Sequence, residues 1–197
     1  MESIDELIKS ANNLFLKKHF RDAIPIYEKI LKIDPDNLDA INNKGYALSK
    51  LKDYKNAIDC YNHGLKIAPS EESLLINKIS ALRKLKMLDE ALQNCDFFLN
   101  DNPDEFIVLY HKLRILRSLK KFEKSLSICH KILNVYPNNG DVLFDKAENL
   151  ICLGKTSECL ESLKASIVIS GEFKIKAKNN TSFDVLGKNH QFLEIIR

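Results

Sequence analysis

An all-α fold of stacked helical hairpins is predicted for this chain by three observations. Four prolines, Pro35, Pro69, Pro103 and Pro137, recur at a constant spacing of 34 residues. Between them, apolar residues fall three and four positions apart, as in Ala57, Tyr61 and Leu65, and so share one face of a helix. Set in rows of 34, the sequence forms columns. One column holds Leu14, Leu48, Leu82, Leu116 and Leu150; a small-residue column holds Ala23, Ala57, Ala91, Ser125 and Cys159; four residues on stand Tyr27, Tyr61, Cys95, Cys129 and Leu163.

The rows run 4–37, 38–71, 72–105, 106–139 and 140–171, and each has room for two helices. In the second row these are Asp39 to Leu51 and Tyr54 to Ile67, separated by the polar turn KLKDY. Small residues in the second helix let a neighbour approach closely, and the aromatic one turn later fills the groove beside it. That helix is expected to stop near KIAP, because proline has no amide proton and disfavours helix in the residue before it. The same proline suits the first turn of the following helix. A lone hairpin cannot cover its apolar face, so stability is expected from stacking successive hairpins into one core. Gly171 stands where a fifth proline of the series would fall and is expected to end the last helix in a left-handed turn. Beyond it, residues 172–197 leave the period but keep Phe173, Phe183, Leu186, Phe192, Leu193 and Ile196. They predict a short helix, a loop over Asn179 to Ser182 and a final helix over Asn189 to Ile196, together capping the last hairpin.

The rows resemble tetratricopeptide repeats, whose skeleton combines a 34-residue period with spaced Leu, Gly, Tyr, Ala and Pro positions. The second row matches best, through Ile41, Lys44, Gly45, Leu48, Ala57, Tyr61 and Pro69, although the chain has no tryptophan. The resemblance covers residues 4 to 171. It implies a right-handed superhelical solenoid of antiparallel helix pairs, with the first helix of each pair lining a groove that binds a peptide or a helix of another protein. The ending FDVLGKNHQFLEII is similar to the segment that closes some arrays of this family.

Composition sets the outer limits. Of 197 residues, 45% are hydrophobic and 29% charged, which suits a folded, soluble chain, and the net charge of +3 does not point to nucleic acid. The acidic start MESIDELIKS is unlike a secretory signal, and no run of apolar residues is long enough for a membrane span. Five cysteines without a C-x-x-C pair suggest reduced thiols and a cytoplasmic setting. The chain lacks a glycine-rich phosphate loop, H-E-x-x-H and G-x-S-x-G. Cys129 and His130 are adjacent and diverge by about 100° on a helix. No enzyme, cofactor or metal site is therefore expected.

Candidate groove residues divide by region. Asn12, Asn43 and Asn77 can each offer a donor and an acceptor to a peptide backbone, with Tyr46 beside them; simple solvation of the asparagines is the alternative. A chaperone-type carboxylate clamp is disfavoured, because Ile8, Ser73 and Asn77 hold its basic places. Further along, Arg83, Tyr110, His111, Arg114 and Arg117 could receive acidic and aromatic side chains. Ion pairs with neighbours such as Glu148 are the alternative use of these arginines. Lys44, Lys78, Lys112 and Lys146 form a column that either attracts an anionic surface or lays its stems on the core. The expected partner is another protein; self-association through the open end or the tail is the second reading, and RNA the weakest.

Overall fold

The computed structural model describes residues 2–197 as helices joined by short turns, in two compact units, the first ending at Pro103 and the second running from Asp104 to Arg197. In the first, α1 (Ile4–Leu16) and α2 (Phe20–Ile33), α3 (Leu38–Lys50) and α4 (Tyr54–Ile67), and α5 (Glu72–Lys84) and α6 (Leu88–Asp101) form consecutive pairs. The second holds the pairs α7 (Phe106–Ser118) and α8 (Phe122–Val135), and α9 (Gly140–Cys152) and α10 (Thr156–Ile169). After them come α11 (Glu172–Lys178), a 3-10 helix (Thr181–Leu186) and α12 (His190–Ile196).

The turn inside each pair has one construction. Lys18, Lys52, Lys86 and Lys120 adopt left-handed backbone with φ of 61°, 66°, 66° and 57°, and Gly154 takes the same place with φ 73°. The next amide in each case, from His19, Asp53, Met87, Lys121 and Lys155, donates to the carbonyl five residues back at 2.9–3.0 Å. Those acceptors are Leu14, Leu48, Leu82, Leu116 and Leu150, so the leucine column also closes the turns. The left-handed glycine is thus Gly154. Gly171, expected in that role, has φ −60° and right-handed backbone at the start of α11, while extended Ser170 ends α10.

The prolines lie between the helices. Asn37, Glu71 and Asn139 donate their amides back to the carbonyls of Asp34, Ala68 and Tyr136, closing turns whose second residue is Pro35, Pro69 or Pro137. Pro35 therefore precedes the following helix instead of sitting in its first turn; that helix opens at Leu38, and Asn37 caps it by accepting from the Ala40 amide at 3.0 Å. Asn139 does the same for Val142 in α9. The first helix of row two accordingly runs one residue earlier at each end than the periodicity suggests.

The aligned columns are the core. Ala23, Ala57, Ala91, Ser125 and Cys159 are fully buried, and so are Tyr61, Cys95, Cys129 and Leu163. Gly45 is required where α3 meets α4, since a Cβ there would stand 2.6 Å from the Tyr61 ring. In the second unit the small column turns polar without losing its bonds. Ser125 donates to the Leu113 carbonyl at 3.0 Å and accepts from Asn149 Nδ2 at 2.9 Å. Burial pushes the Cys129 and Cys159 thiols up to about 12, so they pack as neutral groups.

The last residues pack onto α9 and α10. Phe144 of α9 lies 5.6 Å from both Phe173 and Phe183, and Phe183 lies 6.0 Å from Phe192, so a chain of rings draws α11, the 3-10 helix and α12 into one core. Leu186 and Ile196 join it, whereas Leu193 remains 46% exposed on the outer side of α12. The expected loop at Asn179 to Ser182 is short and leads into the 3-10 helix, opened by Asn180 accepting from the Ser182 amide.

Candidate functional site

In the first unit, the first helices α1, α3 and α5 bring the asparagines into bonded pairs. Tyr27, buried on α2, donates its hydroxyl to Asn12 Oδ1 at 3.1 Å, and the Asn43 side chain lies beside that hydroxyl. Burial raises the Tyr27 pKa. Asn77 on α5 donates to Asn42 Oδ1 on α3 at 2.9 Å. These bonds use the Asn12 carbonyl and the Asn77 amide NH2, and leave the Asn12 NH2 and the Asn77 carbonyl outside them. Tyr46 packs on Phe15 and Phe20 at 5.3 and 6.0 Å, and Lys50 Nζ lies 4.7 Å from its ring centre.

Tyr46 and Asn77 line a recess of about 280 Å³ whose wall also carries Ser49, Lys50, Lys52, Tyr54, Ser80 and Lys84. Ser80 falls among the first-helix positions expected to face the groove, whereas Ser49 carries no mark in the sequence that separates it from ordinary polar surface. At the opposite ends of α3 and α5, Asp36, Asp39, Asn42, Glu71 and Ser73 edge a second recess of about 400 Å³. Of the lysine column, Lys44 pairs with Glu28 at 3.0 Å and Lys78 with Glu90 at 3.7 Å, with their side chains only 21% and 14% exposed. Their charges are directed to neighbouring second helices, in addition to the stem packing that the sequence suggests. Arg83 sits half-buried near the end of α5.

In the second unit, α7 presents Tyr110, His111, Arg114 and Arg117. Tyr110 stacks on Phe106 at 5.9 Å, and the Arg114 guanidinium lies 5.3 Å over the Tyr110 ring. Burial, then the Asp145 charge, pushes the Tyr110 hydroxyl up to about 12. Arg117 Nη1 donates to both Asp145 and Glu148 of α9. Asn180, from the tail, donates to the other Glu148 oxygen at 2.8 Å. Arg114 Nε stands 3.8 Å from Asp145 Oδ2. Burial raises the Glu148 pKa, opposed by Arg117. Arg117 is therefore held inside the unit, and Arg114 and Tyr110 remain half-exposed beside it. His111 is half-buried on the same helix. The part of Asn180 is absent from the periodic reading, because that residue belongs to the aperiodic tail.

Among the described residues, no group of three or more His, Cys, Asp or Glu is placed to hold a metal ion, and no helix is long and apolar enough to cross a membrane. The tetratricopeptide repeat family model matches residues 38–71, the row with the fullest skeleton. No curated protein sequence matches the chain. Among solved structures, MamA from Desulfovibrio magneticus RS-1 aligns with TM-score 0.81 and 14% identity over 86% of this chain and 96% of its own. YrrB, described as a TPR protein with an unusual peptide-binding site, aligns with TM-score 0.75 and 19% identity over 90% of this chain and 93% of its own. Another MamA structure gives TM-score 0.77 and 16% identity, covering 90% of this chain and 95% of that one. Likeness at these identities speaks for the fold. Residues 38–71 thus carry a tetratricopeptide repeat, and the described residues share the helix-pair fold of these tetratricopeptide-repeat structures.

Proposed function

We propose that the chain is a non-catalytic, cytoplasmic scaffold that binds a segment of another protein on the first-helix face of its amino-terminal unit. In this reading residues 4–171 are five repeats and 172–197 a closing segment. The observation that carries it is the surface built by α3 and α5, where a bonded Asn42–Asn77 pair adjoins a recess edged by Tyr46. Paired amides with one free group each suit the main chain of a bound segment, and a half-buried tyrosine offers rigid contact area. The peptide-binding site described for YrrB, a protein of the same fold, supports the reading. Arg114 and Tyr110 make a second candidate contact point in the carboxyl-terminal unit, while Arg117 serves that unit's own packing. The test is capture from the source cell, followed by mapping of the bound segment and its measured affinity for the Tyr46→Ala/Asn77→Ala variant. A loss of tenfold or more is expected; unchanged affinity overturns the assignment of the face.

A further inference from the structure

We infer that the recess at the carboxyl-terminal ends of α3 and α5 is a seat for a carboxylate side chain, so that the bound segment is acidic at one end. This rests on the reading that the face binds a protein segment. Lys50, Lys52 and Lys84 converge on the recess, and its lining contains no carboxylate. Among the described residues, none of these three ammonium groups forms an ion pair. The ends of α3 and α5 supply about half a negative charge each, which leaves the three lysines in excess by about two charges. Tyr46 and Tyr54, with two serines, add hydroxyl donors around the same space. At about 280 Å³ the recess is smaller than the usual pocket for a small-molecule ligand, roughly 300–1,000 Å³, and suits one or two side chains.

The other end of the same two helices sets the polarity. Asp36, Asp39 and Glu71 edge the second recess, whose lining includes no lysine or arginine. From Asp39 to Lys50 along α3 is about 16 Å at 1.5 Å per residue, a distance that about five extended residues cover. A carboxylate over the lysines followed by neutral or basic residues satisfies both ends. A long acidic run or a nucleic-acid strand would carry negative charge onto Asp39 and Glu71, which disfavours both as ligands.

The inference is tested by panning the full chain against a phage-displayed random dodecapeptide library, with the Lys50→Glu/Lys84→Glu variant panned in parallel. All substituted positions are exposed, and circular dichroism checks that the variant stays helical. Enriched peptides for the native chain are expected to carry one or two Asp or Glu followed by a stretch without acids. A synthetic consensus peptide should bind the variant at least tenfold more weakly and the milder Lys50→Gln/Lys84→Gln variant by an intermediate amount. Enriched peptides that lack acids and bind native and variant chains equally overturn the inference and leave segment binding standing. Absence of any enrichment overturns both. Displacement of the consensus peptide by oligouridylate at physiological salt overturns the preference for a protein carboxylate.

Discussion

Replacing Arg117 by methionine would expose how the second unit holds its buried acids. The change keeps the aliphatic stem and removes the guanidinium that faces Asp145 and Glu148, whose side chains are 1% and 9% exposed. Removing one partner of a buried ion pair costs about 3–5 kcal/mol, because the remaining charge is left uncompensated. Here two charges are stranded. Asn180 still bonds Glu148, and Arg114, at 3.8 Å from Asp145, can take up part of the load, so the lower end of about 3 kcal/mol is expected. For a chain of this length that is a fall in Tm of roughly 6–12 °C, readable by circular dichroism. The deficit should shrink as the pH falls through the carboxylate range, because protonation removes the stranded charges. In the triple variant Arg117→Met/Asp145→Leu/Glu148→Met most of the loss should be recovered, since apolar replacement of a buried ion pair is close to neutral. A loss below 1 kcal/mol in Arg117→Met with no dependence on pH would refute the account.

In the native chain, Glu148 binds its proton more readily folded than unfolded, so stability falls as the pH rises from the ordinary value of 4.5 through its raised one; Glu148→Gln should flatten that slope in pH-dependent urea titrations. Gly45→Ala drives a methyl to 2.6 Å from the Tyr61 ring and should cost about 1–2 kcal/mol net of the helix preference of alanine, whereas Gly171→Ala, with open space around it, should be neutral or slightly stabilising. Gly154→Ala places a Cβ at φ 73° and should destabilise by about 1 kcal/mol, while Gly154→Asn, which tolerates that backbone better, should cost less. Phe183→Ala removes the ring shared by Phe144 and Phe192 and should lose about 3–5 kcal/mol, with amide exchange rising first in α12; protection there equal to the native chain would show that α12 packs independently.

The pairs of helices were legible because their causes are local and repeated. Ala57, Tyr61 and Leu65 mark a face by spacing alone, and Pro69 bounds the helix that carries them. The left-handed turns were hidden in rows one to four, since lysine has no preference for that backbone and is held there by the bond from the following amide to the leucine column. Only Gly154 carries a composition cue, and it lies well before Gly171, where the proline spacing drew attention. The 3-10 helix was missed for a different reason: Thr181–Leu186 is stabilised by Phe183 and Leu186 sinking into the α9–α10 core, a tertiary effect without periodic trace. Of the candidate site, the asparagines and Tyr46 are visible as polar and aromatic residues on first helices. Their pairing is not, because Asn42 with Asn77 joins two rows 35 positions apart. The choice between an external and an internal role for Arg117 depended on whether Asp145 and Glu148 reach it, which only the packing of α7 against α9 decides.

The ring of Phe144 has a consequence for synthesis. Most helices here contact the next helix in sequence and can fold as soon as that neighbour has left the ribosome. Phe144, in contrast, is covered by Phe173 and Phe183. With chain growth at about 5–20 residues per second, its cover is complete, at Phe183, roughly 2–8 s after Phe144 itself is added. During that interval the nascent chain displays an aromatic surface that the finished protein does not, and premature termination within the tail would leave it displayed for good.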